Sequence, residues 1–403
     1  MTKKQVLSIG LTWHSLNSSN LGIGALTVSD IQIIQDAAQS AGLPVEFHII
    51  CWRAEAGFHQ DLDLPVEIHY MRAKDFIRPF SPLRRWIKQC DVIFDIGAGD
   101  SFADFYGYKR FFFLAMTKIF TLFYRKPLVL APQTIGPFVN PLSRAMAVWL
   151  MKRSALVYAR DKLSFDYAQS LGVKKNLHLT TDVAFRLPYD QNSDDSSIRT
   201  MGDKEVKKTA PLRIGFNVSA LLYRKALSKA DHIRLSLDYV RLVHRIIERL
   251  LNEANVSIVL VPHVIADHLE YENDLDVSQE IAQRYPEVMV SPRFSGASEA
   301  KTQIHKLDLL IGSRMHATIA AASSGVPILP LSYSRKFTGL YHSLDYPHVC
   351  DLTADSEQRI LDQLDYLLSH REEAKQQIAA SAQRAEQLLS GYQDSVQTLL
   401  KTL

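Results

Sequence analysis

At 403 residues the chain exceeds what one compact core accommodates and suits two domains of about 150 to 200 residues each. With 47% apolar and 22% charged residues it is an ordinary globular sequence, which excludes a mostly disordered one. A net charge of +3 and a pI near 8.6 admit an anionic substrate or a membrane surface, and no pattern of a nucleic-acid module is present, so nucleic acid is not expected as a partner.

Met1-Thr2-Lys3-Lys4 leads straight into Val6-Leu7-Ser8-Ile9-Gly10, a run too short for a signal-peptide core that reads instead as a first buried strand. Cys51, Cys90 and Cys350 are odd in number, widely spaced and each beside an apolar run, which disfavours a disulfide framework or a zinc site. These features predict a reducing cytoplasm. Further strands are expected at Val45 to Cys51, Val66 to Tyr70, Val92 to Ile96, Leu128 to Ala131, Leu156 to Tyr158 and Leu177 to Leu179, with helices between most of them. Such βα repetition implies a mostly parallel sheet covered on both faces. The stretch Tyr108 to Lys126 is rich in aromatics, but Lys118 interrupts it below spanning length. It suits either a core helix with polar ends or a helix lying in a membrane interface, which leaves a peripheral contact with the inner membrane face open.

Ligands of open α/β sheets bind beyond the carboxyl ends of the strands, so the loops there hold the candidate site residues. The first loop, Thr12 to Gly24, is long and polar and contains Asn20 and Gly22; it fits a phosphate or sugar loop, or a plain connection, but matches neither common nucleotide fingerprint. No cofactor is therefore expected. In Phe94 to Asp104, Gly97 and Gly99 allow close backbone approach, and Asp100 can bind a hydroxyl, act as general base, or simply cap a turn. Three spaced aspartates there do not amount to a metal-ligand pattern, and no metal is expected. Arg160 leaves a strand end ahead of the helix capped by Asp161, where it can meet either an anion or a nearby acid.

The polar segment Pro188 to Pro211 breaks the apolar pattern and reads as a linker. The expected organisation is a first α/β domain over 1–187, a linker over 188–211, a second α/β domain over 212–350 and C-terminal helices over 351–403. The second half restarts with a strand at Ile214 to Val218, a helix at Tyr239 to Leu251, a strand at Val256 to Val261 followed by His263, and a helix at Ser298 to Lys306. Then comes the densest signal, Ile311-Gly312-Ser313-Arg314-Met315-His316-Ala317, a strand end, a turn and a small-residue helix. Ser313 reads as the N-cap, so the free N–H groups and positive end of the helix make an anion pocket that carries Arg314 and the titratable His316. Pro330 to Phe337 repeats the arrangement after the next strand and adds Arg335 and Lys336.

The ordered set Asn20-Leu21-Gly22, Gly97-Ala98-Gly99-Asp100, Gln133-Thr134-Ile135-Gly136-Pro137, Arg160-Asp161 with Ser164, Thr181 to Phe185, Val261-Pro262-His263 and Ser313 to Ala317 resembles the polysaccharide pyruvyl transferase family. Ala98 stands where many members carry a further glycine. The resemblance implies two Rossmann-like domains facing a central cleft in the GT-B arrangement. It also implies ketal formation between phosphoenolpyruvate and two hydroxyls of a lipid-linked or nucleotide-linked sugar acceptor. The residues suit that chemistry: Arg314, Arg160 and Arg335 are fork-shaped donors for phosphate and carboxylate, His316 is the acid for the methylene carbon, and Asp100 serves the hydroxyl. Asn20, Gly99, His263 and Ser313 complete the expected substrate contacts. The alternative is a glycosyltransferase of the same fold that uses a nucleotide-sugar.

Overall fold

The computed structural model describes residues 6–53, 64–97, 101–193, 210–224, 234–267 and 271–403. The chain divides into two units: Met1–Arg186 with Ser334–Pro347 and Ser381–Leu403, and Leu187–Tyr333 with His348–Ala380. Most of the expected linker falls on 194–209, outside the described residues.

Mostly apolar runs become strands, buried on both faces at the centre of each sheet, as a parallel sheet requires, and partly exposed at edges such as Val66–Met71 and Met289–Val290. In the first unit these are β1 (Leu7–Thr12), β2 (Val45–Trp52), β3 (Val66–Met71), β4 (Val92–Asp95), β5 (Ser101–Phe102), β6 (Leu128–Ile135), β7 (Leu156–Ala159) and β8 (Leu177–Leu179). They run parallel in the order β3-β2-β1-β4-β6-β7-β8, with β5 paired to β6. The helices are α1 (Leu21–Ala41), α2 (Pro82–Gln89), α3 (Tyr108–Phe123), α4 (Pro141–Arg153) and α5 (Lys162–Ser170). Side chains of α2, α3 and α4, among them Leu83, Ile87, Phe111, Leu114, Ala147 and Leu150, share one core with the sheet.

The second unit repeats the plan with β9 (Leu212–Asn217), β10 (Val256–Leu260), β11 (Met289–Val290), β12 (Leu309–Gly312), β13 (Ile328–Ser332) and β14 (Cys350–Asp351). Their order is β11-β10-β9-β12-β13-β14, again all parallel. The helices are α6 (Ala220–Tyr223), α7 (Tyr239–Leu251), α8 (Asp274–Arg284), α9 (Ala297–Ile304) and α10 (Met315–Ala322). Amphipathic spacing builds α7: Leu242, Val243, Ile246, Ile247 and Leu250 are buried, while the Asp238 carboxylate caps Val240 and Arg241 N–H. Then α11 (Arg335–Ser343) belongs to the first unit, α12 (Glu357–Ser369) to the second, and α13 (Arg371–Leu400) starts in the second unit and passes into the first. There Tyr392 Oη donates to Asp30 at 2.9 Å, and Asp30 in turn holds His14 Nε2 at 2.9 Å.

Each sheet reverses its winding once, between β1 and β4 and between β9 and β12. That places Thr12 opposite Asp95 and Asn217 opposite Gly312 at the two topological switch points, where open α/β sheets hold their ligands. The buried thiols of Cys51, Cys90 and Cys350 are each pushed up to about 12 by burial, which keeps them protonated and inert.

Candidate functional site

At the switch point of the second unit, β12 ends on Gly312, and a Cβ there would stand 2.5 Å from Thr318 Cγ2. The glycine lets α10 fold back tightly over the strand end. Ser313 N–H donates to the Asn217 carbonyl at 3.2 Å and Arg314 N–H to Asn217 Oδ1 at 2.8 Å, so the neighbouring strand end fixes the turn. Ser313 is not the N-cap that sequence spacing predicts. Arg314 occupies that position, and its side chain makes no capping hydrogen bond. The Ser313 hydroxyl instead bonds the buried Tyr239 hydroxyl at 2.7 Å, which also accepts Ser219 N–H at 3.2 Å. This tertiary partner outcompetes the local cap.

Arg314 is held by Asp274, which lies at the start of α8. Its Nη2 is 2.8 Å from Asp274 Oδ1, its Nε is 3.2 Å from Oδ2, and Nη2 also donates to the Glu272 carbonyl at 3.3 Å. Burial works against the charge, but Asp274 prevails and holds the guanidinium pKa above its usual value. Among the described residues Nη1 makes no hydrogen bond, which leaves one edge of the fork for a ligand. Asp274 is itself fully buried and accepts N–H groups of Ala220 at 2.9 Å, Val264 at 3.0 Å and His263 at 3.3 Å. One carboxylate thus ties together the ends of β9, β10 and β12.

His263 stands on the segment after β10 and is 2% exposed. Among the described residues neither of its ring nitrogens has a hydrogen-bond partner. Burial, with His316 and Arg314 close enough to act on it, pushes its pKa down to about 3. It is therefore a neutral imidazole at physiological pH, with one nitrogen able to donate and the other to accept. His316, half-buried, is the second residue of α10. The structure brings Ser313, Arg314, His316 and His263 together in one unit. Sequence reasoning missed Asp274, Asn217 and Tyr239. Asn273, the N-cap of α8, followed by Asp274 in its first turn is a helix-start signal that would have located the first of them.

The other expected residues belong to the first unit. Asn20 Oδ1 caps α1 by accepting Gly22 N–H at 3.0 Å. Arg160 turns inward, 1% exposed, with Nη1 at 2.8 Å from Asp182 and Nε at 3.0 Å from Thr134 Oγ1. Arg335 is exposed at the start of α11, where Nη2 donates to the Leu163 carbonyl at 3.2 Å. Gly99 and Asp100 lie outside the described residues. Just before them, Asp95 holds the buried Lys118 at 2.8 Å and Gly97 N–H at 3.0 Å, so an ion pair anchors the strand end.

One further group has donor atoms within 4.8 Å of one another, as metal ligands do: His48, Glu67 and His69, mid-strand on β2 and β3. There His48 Nδ1 and His69 Nε2 lie 3.2 Å apart and share a hydrogen bond, and Trp86 stacks on His69 at 4.7 Å.

Among solved structures, Anabaena Alr3699/HepE in complex with UDP-glucose is similar with a TM-score of 0.58 at 12% identity, over 98% of this chain and 100% of that one. UDP-GlcNAc 2-epimerase from Neisseria meningitidis follows with 0.54 at 10%, over 96% and 100%. Acinetobacter baumannii MurG gives 0.52 at 13%, over 97% and 99%. At such identities these likenesses show the fold, two Rossmann-like domains of the GT-B class. By sequence, the amylovoran biosynthesis protein AmsJ of Erwinia amylovora is 20% identical over 343 residues, 82% of this chain and 75% of the relative. The model of the polysaccharide pyruvyl transferase family matches residues 47–335, a span that includes Arg160, His263 and the whole turn from Ser313 to His316. With that match over most of its length, the chain belongs to the polysaccharide pyruvyl transferase family.

Proposed function

We propose that the protein transfers pyruvyl from phosphoenolpyruvate to two hydroxyls of one sugar, releasing phosphate and leaving a cyclic ketal on a polysaccharide or its precursor. The observation that carries this reading is the buried, neutral His263, its ring nitrogens unmatched, beside His316 and the Arg314 fork. Unmatched buried polar atoms are costly unless a ligand satisfies them. A phosphate or carboxylate accepting from one nitrogen, with a hydroxyl donating to the other, would do so.

In this scheme His316 gives its proton to the methylene carbon, which becomes the methyl group, and positive charge develops at C2. One sugar hydroxyl adds there, the C2–O bond to phosphate breaks, and the second hydroxyl closes the ring. Of the two hydroxyl protons, one restores His316 and the other leaves with phosphate. Arg314 Nη1, held rigid by Asp274, takes an oxygen of the donor. The scheme asks for no metal.

The runner-up reading is transfer from a nucleotide-sugar, favoured by the likeness to a structure in complex with UDP-glucose. Phosphorus NMR of the protein with a panel of soluble and lipid-linked sugar acceptors, supplied with phosphoenolpyruvate or with UDP-sugars, separates the two. Acceptor-dependent release of inorganic phosphate supports pyruvyl transfer. Release of UDP with no turnover of phosphoenolpyruvate overturns it.

A further inference from the structure

The chain as a whole is nearly balanced, with 46 basic and 43 acidic residues. One part of the first unit is not. Residues 76–90 and 105–160 hold thirteen arginines and lysines and no aspartate or glutamate. All but Lys118 and Arg160 are at least partly exposed. These segments contain α2, α3 and α4, which pack side by side, α2 on α3 and α3 on α4. Their inner sides share one core, so their outer sides form one continuous layer.

That outer layer also carries large apolar side chains where a solvated surface would have polar ones. On α4, Leu142, Met146 and Trp149 recur at the helical spacing of one stripe, and all three are exposed, Leu142 at 79%. Just ahead of the helix Val139 is 74% exposed, and in the loop before α2 Ile77 and Phe80 reach 79% and 95%. Tyr108 at the start of α3 bonds Asn140 Nδ2 at 3.1 Å, which fastens the two helix starts together. Arg153 lies over the Trp149 ring at 4.8 Å, a cation beside an apolar anchor.

We infer that this α2–α3–α4 face binds the surface of an anionic lipid bilayer. Apolar tips on a layer rich in cations and free of acids can enter the boundary between headgroups and acyl chains while arginine and lysine meet lipid phosphates. Nucleic acid would use the cations but has no place for Ile77, Val139, Leu142 and Met146, whereas a bilayer takes both. No described helix is long and apolar enough to cross a membrane. The interfacial helix expected from sequence, α3, turns Phe111, Leu114 and Phe120 into the core but keeps Tyr108, Phe112 and Phe123 exposed, beside the outward stripe of α4. The inference does not depend on the pyruvyl-transfer reading.

Co-flotation of the full chain with phosphatidylcholine vesicles, with and without phosphatidylglycerol, tests it. Binding is expected only to the anionic vesicles. Arg144→Glu with Arg153→Glu should weaken it roughly tenfold or more, and Leu142→Ser with Trp149→Ser should weaken it even in high salt. Lys375→Glu with Lys401→Glu, the same change of net charge on α13 and the segment after it, should leave binding intact. Circular dichroism confirms that each variant is folded. Three results would overturn the inference: no binding of the wild type to anionic vesicles, an equal loss in the α13 variant, or self-association without lipid that the α4 variants abolish.

Discussion

Replacing Asp274 by Asn tests whether one buried carboxylate organises the site. Its Oδ1 accepts from Arg314 Nη2 and Ala220 N–H, and its Oδ2 from Val264 and His263 N–H. The carboxamide keeps one acceptor and turns an NH2 group towards donors at the other position. It also leaves Arg314, only 12% exposed in its side chain, without a counter-charge. Breaking a buried pair in this way costs about 3–5 kcal/mol. At about 2–4 °C per kcal/mol for a unit of this size, the melting midpoint should fall by roughly 6–20 °C. Differential scanning calorimetry measures the fall, and isothermal titration with phosphoenolpyruvate should show weaker donor binding in the same variant. Adding Arg314→Met should restore part of the lost stability, because the stranded charge is gone. A midpoint within about 2 °C of wild type would show that the ends of β9, β10 and β12 do not depend on Asp274, and the reasoning would fail.

His316→Gln should leave phosphoenolpyruvate affinity intact while kcat falls about 10²- to 10⁴-fold; weaker donor binding with unchanged kcat would make His316 a ligand contact and not the acid. His263 is held at about 3 against an unfolded value near 6.5, so in that window the unfolded chain binds the extra proton and stability drops as pH falls from 6.5 towards 3; urea titrations across that range should show a slope that His263→Gln flattens. Lys301, lowered by burial to about 7, is charged at a cost below that pH, and the cost fades as pH rises towards 10.5; Lys301→Met should therefore raise the melting midpoint most below pH 7 and hardly at all near 10.5. Gly312→Ala forces a Cβ within 2.5 Å of Thr318 Cγ2 and should cost about 1–3 kcal/mol in chemical denaturation.

By itself the sequence determined what depends on local pattern. Buried parallel strands write themselves as apolar runs, so Val92 to Ile96 and Leu309 to Gly312 are legible, as is the 3.6-residue spacing of Tyr239 to Leu251. The turn from Gly312 to His316 is legible for the same reason, since a strand end, a glycine and a small-residue helix are neighbours in the chain. What each side chain does there is set by groups far away in sequence. Ser313 looks like a cap until Tyr239, 74 residues earlier, takes its hydroxyl. Arg314 looks like an open fork until Asp274 claims most of it, and Arg160 like an outward cation until Asp182 draws it in. The neutrality of His263 comes from burial, which no spacing reports. Likewise the charges of α2, α3 and α4 are scattered along the chain, and only packing on a common sheet turns them into one face. Local hydrogen bonding and periodicity are encoded within a few residues, whereas desolvation and charge pairing depend on which distant elements the fold brings together.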